Sequence, residues 1–387
     1  MTSRRTVDKT SGLPASLFSR HEPPTLVVIT CGGPFDAPTR HYRDNLVITA
    51  TPRPRSWRVL PSAAHPSSSL QISTAGRESL APMGNPRINV LGVPNSAGAY
   101  CVGVERAPAA VRDAGLVEAL IAVGCEVDDH GDLTERLWVP DRSNRYAQNL
   151  DDEVAATKEL AEAASTLLSA GAKLLVLGGS CVVAVGMCAA MARLGRSPRL
   201  IYIDRHLDLN TPHSTTEGSL SWMGMAHALH LEGTAPELAR VAGATPLLDS
   251  SDLVYLGVDL TRETTEWERN QADSLGLTLV DQHILCDDPA HAAREARNAL
   301  GTGAFAVHLD VDVLDFMDAP IAENVNGRNS GPTIAQLGQA LAELLPDPDC
   351  WGMTIGQLDP AHAAADPTAV GRLVAALASA FAAPRPG

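Results

Sequence analysis

The 387-residue sequence is short of aromatic side chains, at 4% of the total, and short of positive charge: 45 acidic against 30 basic residues leave a formal net charge of −15. A nucleic-acid binder or an anionic-membrane binder needs a basic face, and base recognition draws on stacking rings, so both classes are excluded as general functions. Cysteine is sparse too: seven residues, an odd number, scattered without paired spacing. That rules out a disulfide framework and points to a reducing, cytoplasmic compartment. No apolar run reaches the length of a membrane span, and the N-terminus lacks a signal-peptide pattern, so a soluble protein is expected. What is abundant is aliphatic. A 45% hydrophobic content rich in Ala, Gly and Val suits a close-packed helix-on-sheet core, and the acidic balance suits a small cationic or polar substrate.

The most informative stretch runs from Leu200 to Pro212, where the aliphatic strand Leu200-Ile201-Tyr202-Ile203 stops abruptly at Asp204-Arg205-His206-Leu207-Asp208-Leu209-Asn210. Side chains of an extended chain alternate faces, so Asp204, His206 and Asp208 are expected on one side just past the strand end. A second run, Ala304 to Leu309, has the same design and is followed by Asp310-Val311-Asp312. Open parallel sheets bind ligands beyond the carboxyl ends of their strands, so the two runs can flank one site. Four clustered carboxylates repel one another unless protons or cations intervene, and two divalent metals would balance them. One Asp after a strand is usually a helix cap or a solvated end. The joint pattern Asp-x-His-x-Asp and Asp-x-Asp, each after a hydrophobic strand, is far more specific for metal.

Residues 1–82 differ in composition from the rest. Pro and Ser clusters such as Thr51-Pro52-Arg53-Pro54-Arg55 and His65-Pro66-Ser67-Ser68-Ser69 read as linker or disorder. Within them, residues 25–36 (Thr-Leu-Val-Val-Ile-Thr-Cys-Gly-Gly-Pro-Phe-Asp) and 41–50 (His-Tyr-Arg-Asp-Asn-Leu-Val-Ile-Thr-Ala) resemble the last two strands of an actinobacterial sortase. That resemblance puts Cys31 at the nucleophile position and Arg43 at the assisting arginine. The earlier barrel strands and their histidine are missing, so a vestigial extension is expected, with Met83 as an alternative start.

From Arg87 onward strands and helices alternate. Strands are expected near 87–94, 174–177, 200–203, 253–258, 276–280, 304–310 and 350–355, and helices at 107–123, 153–170, 182–194, 221–231, 289–300, 334–344 and 367–381. Alternation without hairpin signals predicts an α/β protein with three α/β/α layers around a parallel sheet. The domain is expected to span residues 83–387.

Three motifs in this order, Gly178-Gly179-Ser180-Cys181, Asp204-x-His206-x-Asp208-x-Asn210-Thr211-Pro212 and Asp310-x-Asp312-x-Leu314-Asp315, resemble the ureohydrolase (arginase/agmatinase) family over about residues 87–383. The resemblance implies an arginase-like sheet of about eight strands and a homo-oligomer, often a trimer or hexamer. It also implies two Mn²⁺ ions per chain, with Zn²⁺ or Fe²⁺ as alternatives, and attack of a metal-bridging hydroxide on a guanidinium or related carbon. By the resemblance Asp204 and Asp310 bridge the metals, Asp208 is a ligand that also holds the hydroxide, and His206 and Asp312 serve the second metal. The chemistry is demanding, because guanidinium carbon is a poor electrophile and neutral water a poor nucleophile; two metals lower the water's pKa and fix its aim.

Three positions depart from the family pattern. Cys181 stands where a metal-ligating histidine is usual; it is either a thiolate ligand, which would soften the site, or a small buried residue. Counting without gaps places Glu217 and Ser221 at the arginase positions for the substrate carboxylate and the proton-shuttling histidine. Glu217 would repel an α-carboxylate, and Ser221 is a weak shuttle; His213, His227 and His230 are conceivable substitutes. Gln357 occupies the place of a guanidinium-pairing glutamate, which favours a neutral amide, ureido or hydroxyguanidine group over plain arginine. Asn210 is retained and is expected to orient the substrate. The expected function is a divergent hydrolase of a linear C–N bond in a small molecule. The alternative is an impaired ureohydrolase-like pseudoenzyme acting as a structural or regulatory subunit.

Overall fold

The computed structural model describes residues 3–8, 26–36, 41–50, 85–215, 217–243, 245–324 and 329–382, the first three segments by backbone alone. The chain divides into two units, residues 1–79 and 80–387. In the first, β1 (Ser3–Asp8), β2 (Leu26–Asp36) and β3 (His41–Ala50) form an antiparallel sheet in the order β1-β3-β2, with Cys31 opposite Asn45. The side chains of Cys31 and Arg43, and residues 51–82 of the extension expected at 1–82, lie outside the described residues.

The second unit is built on eight strands: β4 (Arg87–Gly92), β5 (Glu126–Asp132), β6 (Lys173–Leu177), β7 (Leu200–Ile203), β8 (Leu253–Val258), β9 (Thr278–Asp281), β10 (Phe305–Asp310) and β11 (Cys350–Gly356). Every pairing is parallel, in the order β5-β4-β6-β11-β10-β7-β8-β9. The parallel α/β sheet expected from sequence is therefore present with eight strands. Its inner strands are apolar on both faces because helices cover both. Leu175, Leu177, Ile201, Ile203, Val307, Leu309, Met353 and Ile355 pack into one core with the helices at 289–300, 334–344 and 369–381. The alternate residues Leu174, Val176, Leu200, Tyr202 and Ala306 pack into the other, with the helices at 150–169 and 183–193.

Local chemistry explains where the structure departs from the expected elements. The helix expected at 107–123 breaks into 107–113 and 116–122 because Gly115 adopts a left-handed conformation with φ 85°. The helix expected at 221–231 shortens to a 3₁₀ turn at 220–223 and an α-helix at 224–228. Two elements carry little hydrophobic signal. Strand β5 is an exposed, acidic edge, Glu-Val-Asp-Asp-His-Gly-Asp, the kind of composition that discourages edge-to-edge pairing. The helix Glu266–Leu275 is mostly polar and is started by a capping box between Thr265 and Glu268.

Candidate metal centre and substrate cavity

The side chains of interest sit at the carboxyl ends of the four central strands: Cys181 follows β6, Gln357 follows β11, Asp310 ends β10, and Asp204 follows β7. The register places Tyr202, His308 and Thr354 side by side, two residues below Asp204, Asp310 and Gly356. Because side chains repeat every two residues, that row is the floor of the site. It is a polar floor. His308 is fully buried, stacks on Tyr202 at 4.6 Å between centroids, and meets the Thr354 hydroxyl through Nδ1 at 2.7 Å. Burial pushes its pKa down to about 3, so it is a neutral ring. Gly356 has no Cβ for a reason: one would lie 3.1 Å from His308 Cε1 and 3.4 Å from Cys181 Sγ.

Two groups of donor atoms, each with its atoms within 4.8 Å of one another, share Asp204: Asp204, His206, Asp310 and Asp312 form one, and Cys181, Asp204 and Asp208 the other. The expected convergence of these residues is thus present, though by a different route from simple alternation. Asp208 has φ 50°, so the chain after β7 is a folded loop, not a continued strand. Asp204 Oδ1 accepts the His206 amide at 2.7 Å, and Asp310 Oδ1 accepts the Asp312 amide at 2.8 Å. Each carboxylate closes its own tight turn and brings the next ligand-type residue back to the site.

The electrostatics are those of a buried acidic cluster. Burial, reinforced by the Asp312 charge and partly offset by His206, pushes the Asp204 carboxyl up to about 6. Asp208 and Asp310 are raised well above the usual carboxylate range, first by burial and then by the charges of Asp204 and, for Asp310, also Asp312. Burial would lower the His206 pKa, but Asp312, Asp204 and Glu263 outweigh it and raise it well above its ordinary value. The Cys181 thiol, pushed far up by burial and by the acids around it, donates to Asp310 Oδ2 at 2.8 Å. The Tyr202 hydroxyl donates to Asp208 Oδ2. Asp204 Oδ2 is buried without a hydrogen-bond partner, and a buried carboxylate oxygen needs a cation or a donor. The donor set fits two divalent ions with oxygen-rich coordination, one imidazole and one thiol.

A cavity of about 300 Å³ opens above the cluster, lined by the metal-type residues and by Tyr100, Cys101, Glu217, Ser221, Trp222, Glu323, Asn324 and Gln357. Ser221 is in place, but its hydroxyl donates to the Gly98 carbonyl at 3.1 Å. Glu217 lines the cavity and is exposed. Asn210 is not among the lining residues; its carboxamide oxygen accepts from Ser214 at 3.1 Å. His227 is buried and structural, bonded through Nδ1 to the Met223 carbonyl and through Nε2 to the Ala235 amide; neither His213 nor His230 lines the cavity.

Four residues of the site escaped the sequence reading. Tyr202, a polar aromatic within an aliphatic strand, could have been found by counting two back from Asp204. Glu263 approaches His206 Nε2 at 3.8 Å. Arg205, fully buried beside Asp312, donates to the carbonyls of Leu314 and Ser330 at 2.9 and 3.0 Å and so ties down the segments after β10. Glu323 accepts from Gln357 Nε2 at 3.2 Å and from the Tyr100 amide at 3.2 Å, and burial raises its pKa.

Comparison with known proteins agrees with this geometry. The arginase family model matches residues 86–382 and gives the sortase resemblance of residues 25–50 no support. An arginase from Brevibacillus brevis is 30% identical over 272 residues, covering 68% of this chain and 87% of that protein. Human mitochondrial arginase-2 is 34% identical over 176 residues, 44% of this chain and 49% of that protein. Among solved structures, arginase from Bacillus caldovelox superposes with a TM-score of 0.69 at 24% identity, covering 78% of this chain and 99% of that one. Formimidoylglutamase from Bacillus subtilis gives a TM-score of 0.60 at 19% identity over 79% and 90%. By sheet order, by donor cluster and by a family match over most of its length, this chain belongs to the arginase family.

Proposed function

We propose that the chain is a divergent binuclear-metal hydrolase that cleaves a linear C–N bond in a guanidino, hydroxyguanidino, ureido or amide-type small molecule. The observation that carries this reading is the pair of donor clusters sharing Asp204 beneath a cavity large enough for a small substrate. Asp204, His206, Asp310 and Asp312 would hold one ion, and Asp204, Asp208 and Cys181 the other. Mn²⁺ suits the carboxylate majority, and Cys181 as a thiolate would draw the first position toward Zn²⁺ or Fe²⁺. When bound, the two ions supply an acidified water that is nucleophilic at neutral pH.

The residues of the chain do the rest. Tyr202 orients Asp208 from below, and a carboxylate so held can accept and return a proton at Oδ1 as the bond breaks. Glu263 stands 3.8 Å from His206 Nε2 and steadies the ring while Nδ1 faces Asp204 and Asp312. Tyr100 and Trp222, stacked at 6.1 Å, stand at the cavity wall, where their rings offer an apolar surface to a substrate. The family resemblance supports a homo-oligomer, and among the described residues no helix is long and apolar enough to cross a membrane.

A second reading, a subunit that keeps the fold but not the reaction, is favoured by Ser221, whose hydroxyl is committed to Gly98 and leaves no proton shuttle there. Assaying the manganese-loaded full chain against a panel of guanidino, hydroxyguanidino, ureido and amide compounds separates the two. Release of urea, hydroxyurea or ammonia supports the hydrolase; a loaded, folded protein that turns over none of them supports the subunit.

A further inference from the structure

Glu153 lies in the first turn of the helix at 150–169, 1% exposed, outside both the cavity lining and the donor clusters. A carboxylate taken out of water is costly unless donors or cations meet it. Here donors meet it, and they come from two loops at the carboxyl edge of the sheet. Its Oε2 accepts from Asn95 Nδ2 and from the Gly98 amide, each at 2.8 Å. The Ser180 hydroxyl, next to Cys181, adds a further bond. Burial raises the Glu153 pKa, and these three bonds, with a Coulomb attraction from Arg136, oppose the rise. The loop passes so close that Gly98 has no room for a side chain: a Cβ there would lie 2.5 Å from Glu153 Oε2. The Gly98 carbonyl in turn carries the next segment. It accepts from the Ser221 amide at 2.9 Å, the Ser221 hydroxyl at 3.1 Å and the Ser219 hydroxyl at 3.2 Å. Tyr100 and Cys101 follow Gly98, Trp222 follows Ser221, and all three line the cavity.

We propose that Glu153 is a positioning residue of the substrate cavity: through Gly98 it fixes two wall segments, 98–101 and 219–222, against each other, anchored on the loop after β6. This rests on the hydrolase reading of the site and deepens it, because it names what holds the wall that a substrate would meet. Glu153 itself touches neither the cavity nor the donor atoms and acts only through its partners. The residue type separates placing the loops from filling space. An apolar side chain of similar volume would pack under the loops at lower cost, but it would leave Asn95 Nδ2 and the Gly98 N–H buried without an acceptor. One carboxylate accepts all three bonds. Glutamine can reproduce them, its Oε1 accepting from Asn95 and Gly98 while its Nε2 donates to the Ser180 hydroxyl. Methionine fills nearly the same space with only a weak acceptor.

The test compares Glu153→Met with Glu153→Gln in the full chain, in manganese, by amide hydrogen exchange. Glu153→Met should exchange about tenfold or more faster than wild type in segments 95–99 and 219–222, with the strands at 200–203 and 305–310 within about twofold. Glu153→Gln should bring the wall segments back to within about threefold of wild type. A residue that only fills space predicts equal exchange in all three proteins, and one needed only for global stability predicts a rise in the strands as well. Either result, or a Glu153→Gln variant as fast as Glu153→Met, overturns the proposal. Should Glu153→Met not fold, Asn95→Ala decides in its place: it removes one of the loop bonds, so faster exchange at 219–222 supports the proposal and a wild-type rate there overturns it. Turnover separates the two readings. With any accepted substrate, KM should rise about tenfold in Glu153→Met while kcat stays within about threefold, and an unchanged KM overturns the positioning role. A wild-type chain that turns over nothing contradicts the hydrolase reading, and the exchange result then decides by itself whether Glu153 holds the wall.

Discussion

The carboxyl edge of the sheet has two sides with different chemistry. On the β7 and β10 side, Asp204, His206, Asp208, Asp310 and Asp312 form a dense acidic cluster, braced from beneath by Tyr202 and from beside by Arg205. On the β6 and β11 side stand a neutral thiol, Cys181, and a neutral amide, Gln357, with the nearest carboxylate, Glu323, brought in from a loop. The first side concentrates buried acids that protons, His206 and Arg205 compensate in part and that divalent cations would compensate further. The second side has its carboxylate on a neighbouring segment and not on the strand end, so a position-by-position reading of a motif does not show all the charge around a pocket.

The largest effect that would break this comparison is on the acidic side. Asp208→Asn should lower turnover of any accepted substrate by about a thousandfold or more while leaving the circular-dichroism spectrum and melting profile close to wild type. Retained activity would remove Asp208 from the chemistry. On the neutral side, Cys181→Ser should weaken the first metal position by about tenfold or more, read as a drop from about two ions per chain toward one at limiting manganese. Cys181→His should raise manganese occupancy relative to Cys181→Ser. If both variants load as wild type does, Cys181 is only a small buried residue.

A pH comparison sharpens the acidic side further. For the metal-free protein, Asp204 titrates at about 6 when folded against an ordinary 3.8. The folded form therefore binds more protons in that interval, and stability falls as pH rises from about 4 through about 6. Asp208 and Asp310, raised further, extend the loss upward in pH. His227 and His308, lowered to about 4 and about 3, oppose this loss up to about pH 6.5; above that, where His206 with its raised pKa adds to the loss, melting temperatures of the stripped protein should decline as pH rises, and manganese should restore more of the loss at the higher pH. A flat profile for the stripped protein would contradict the acidic-cluster account. Gly356→Ala crowds His308 and Cys181 together at the seam between the two sides and should cost about 1–3 kcal/mol in chemical denaturation. The smallest effect is Ser221→Ala, which removes one hydrogen bond to Gly98, worth about 1 kcal/mol, and should leave turnover within about threefold. A hundredfold loss would restore Ser221 to the reaction.

Much of the acidic side was legible in the sequence. Aliphatic strands that end in spaced acids mark both the sheet and its functional edge, and the same runs identified β6, β7, β10 and β11. Elements lacking an apolar period were not legible. Strand β5 is a polar edge, and the helix at 266–275 buries little beyond Ala272 and Glu268. Glu323 was invisible for another reason. Its place beside Gln357 depends on a backbone bond between segments 34 residues apart, and no local pattern announces that pairing. The alternation argument brought Asp204, His206 and Asp208 to one place by way of a strand that in fact ends at Ile203, because a tight turn at Asp208 returns its side chain to the same place.

Titration of the metal-stripped full chain with Mn²⁺, followed by elemental analysis after gel filtration, tests the central claim most directly. About two ions retained per chain, with at most about one retained by a Asp204→Ala variant, is the predicted result. A folded wild-type chain that retains less than about one ion would contradict the shared two-metal site.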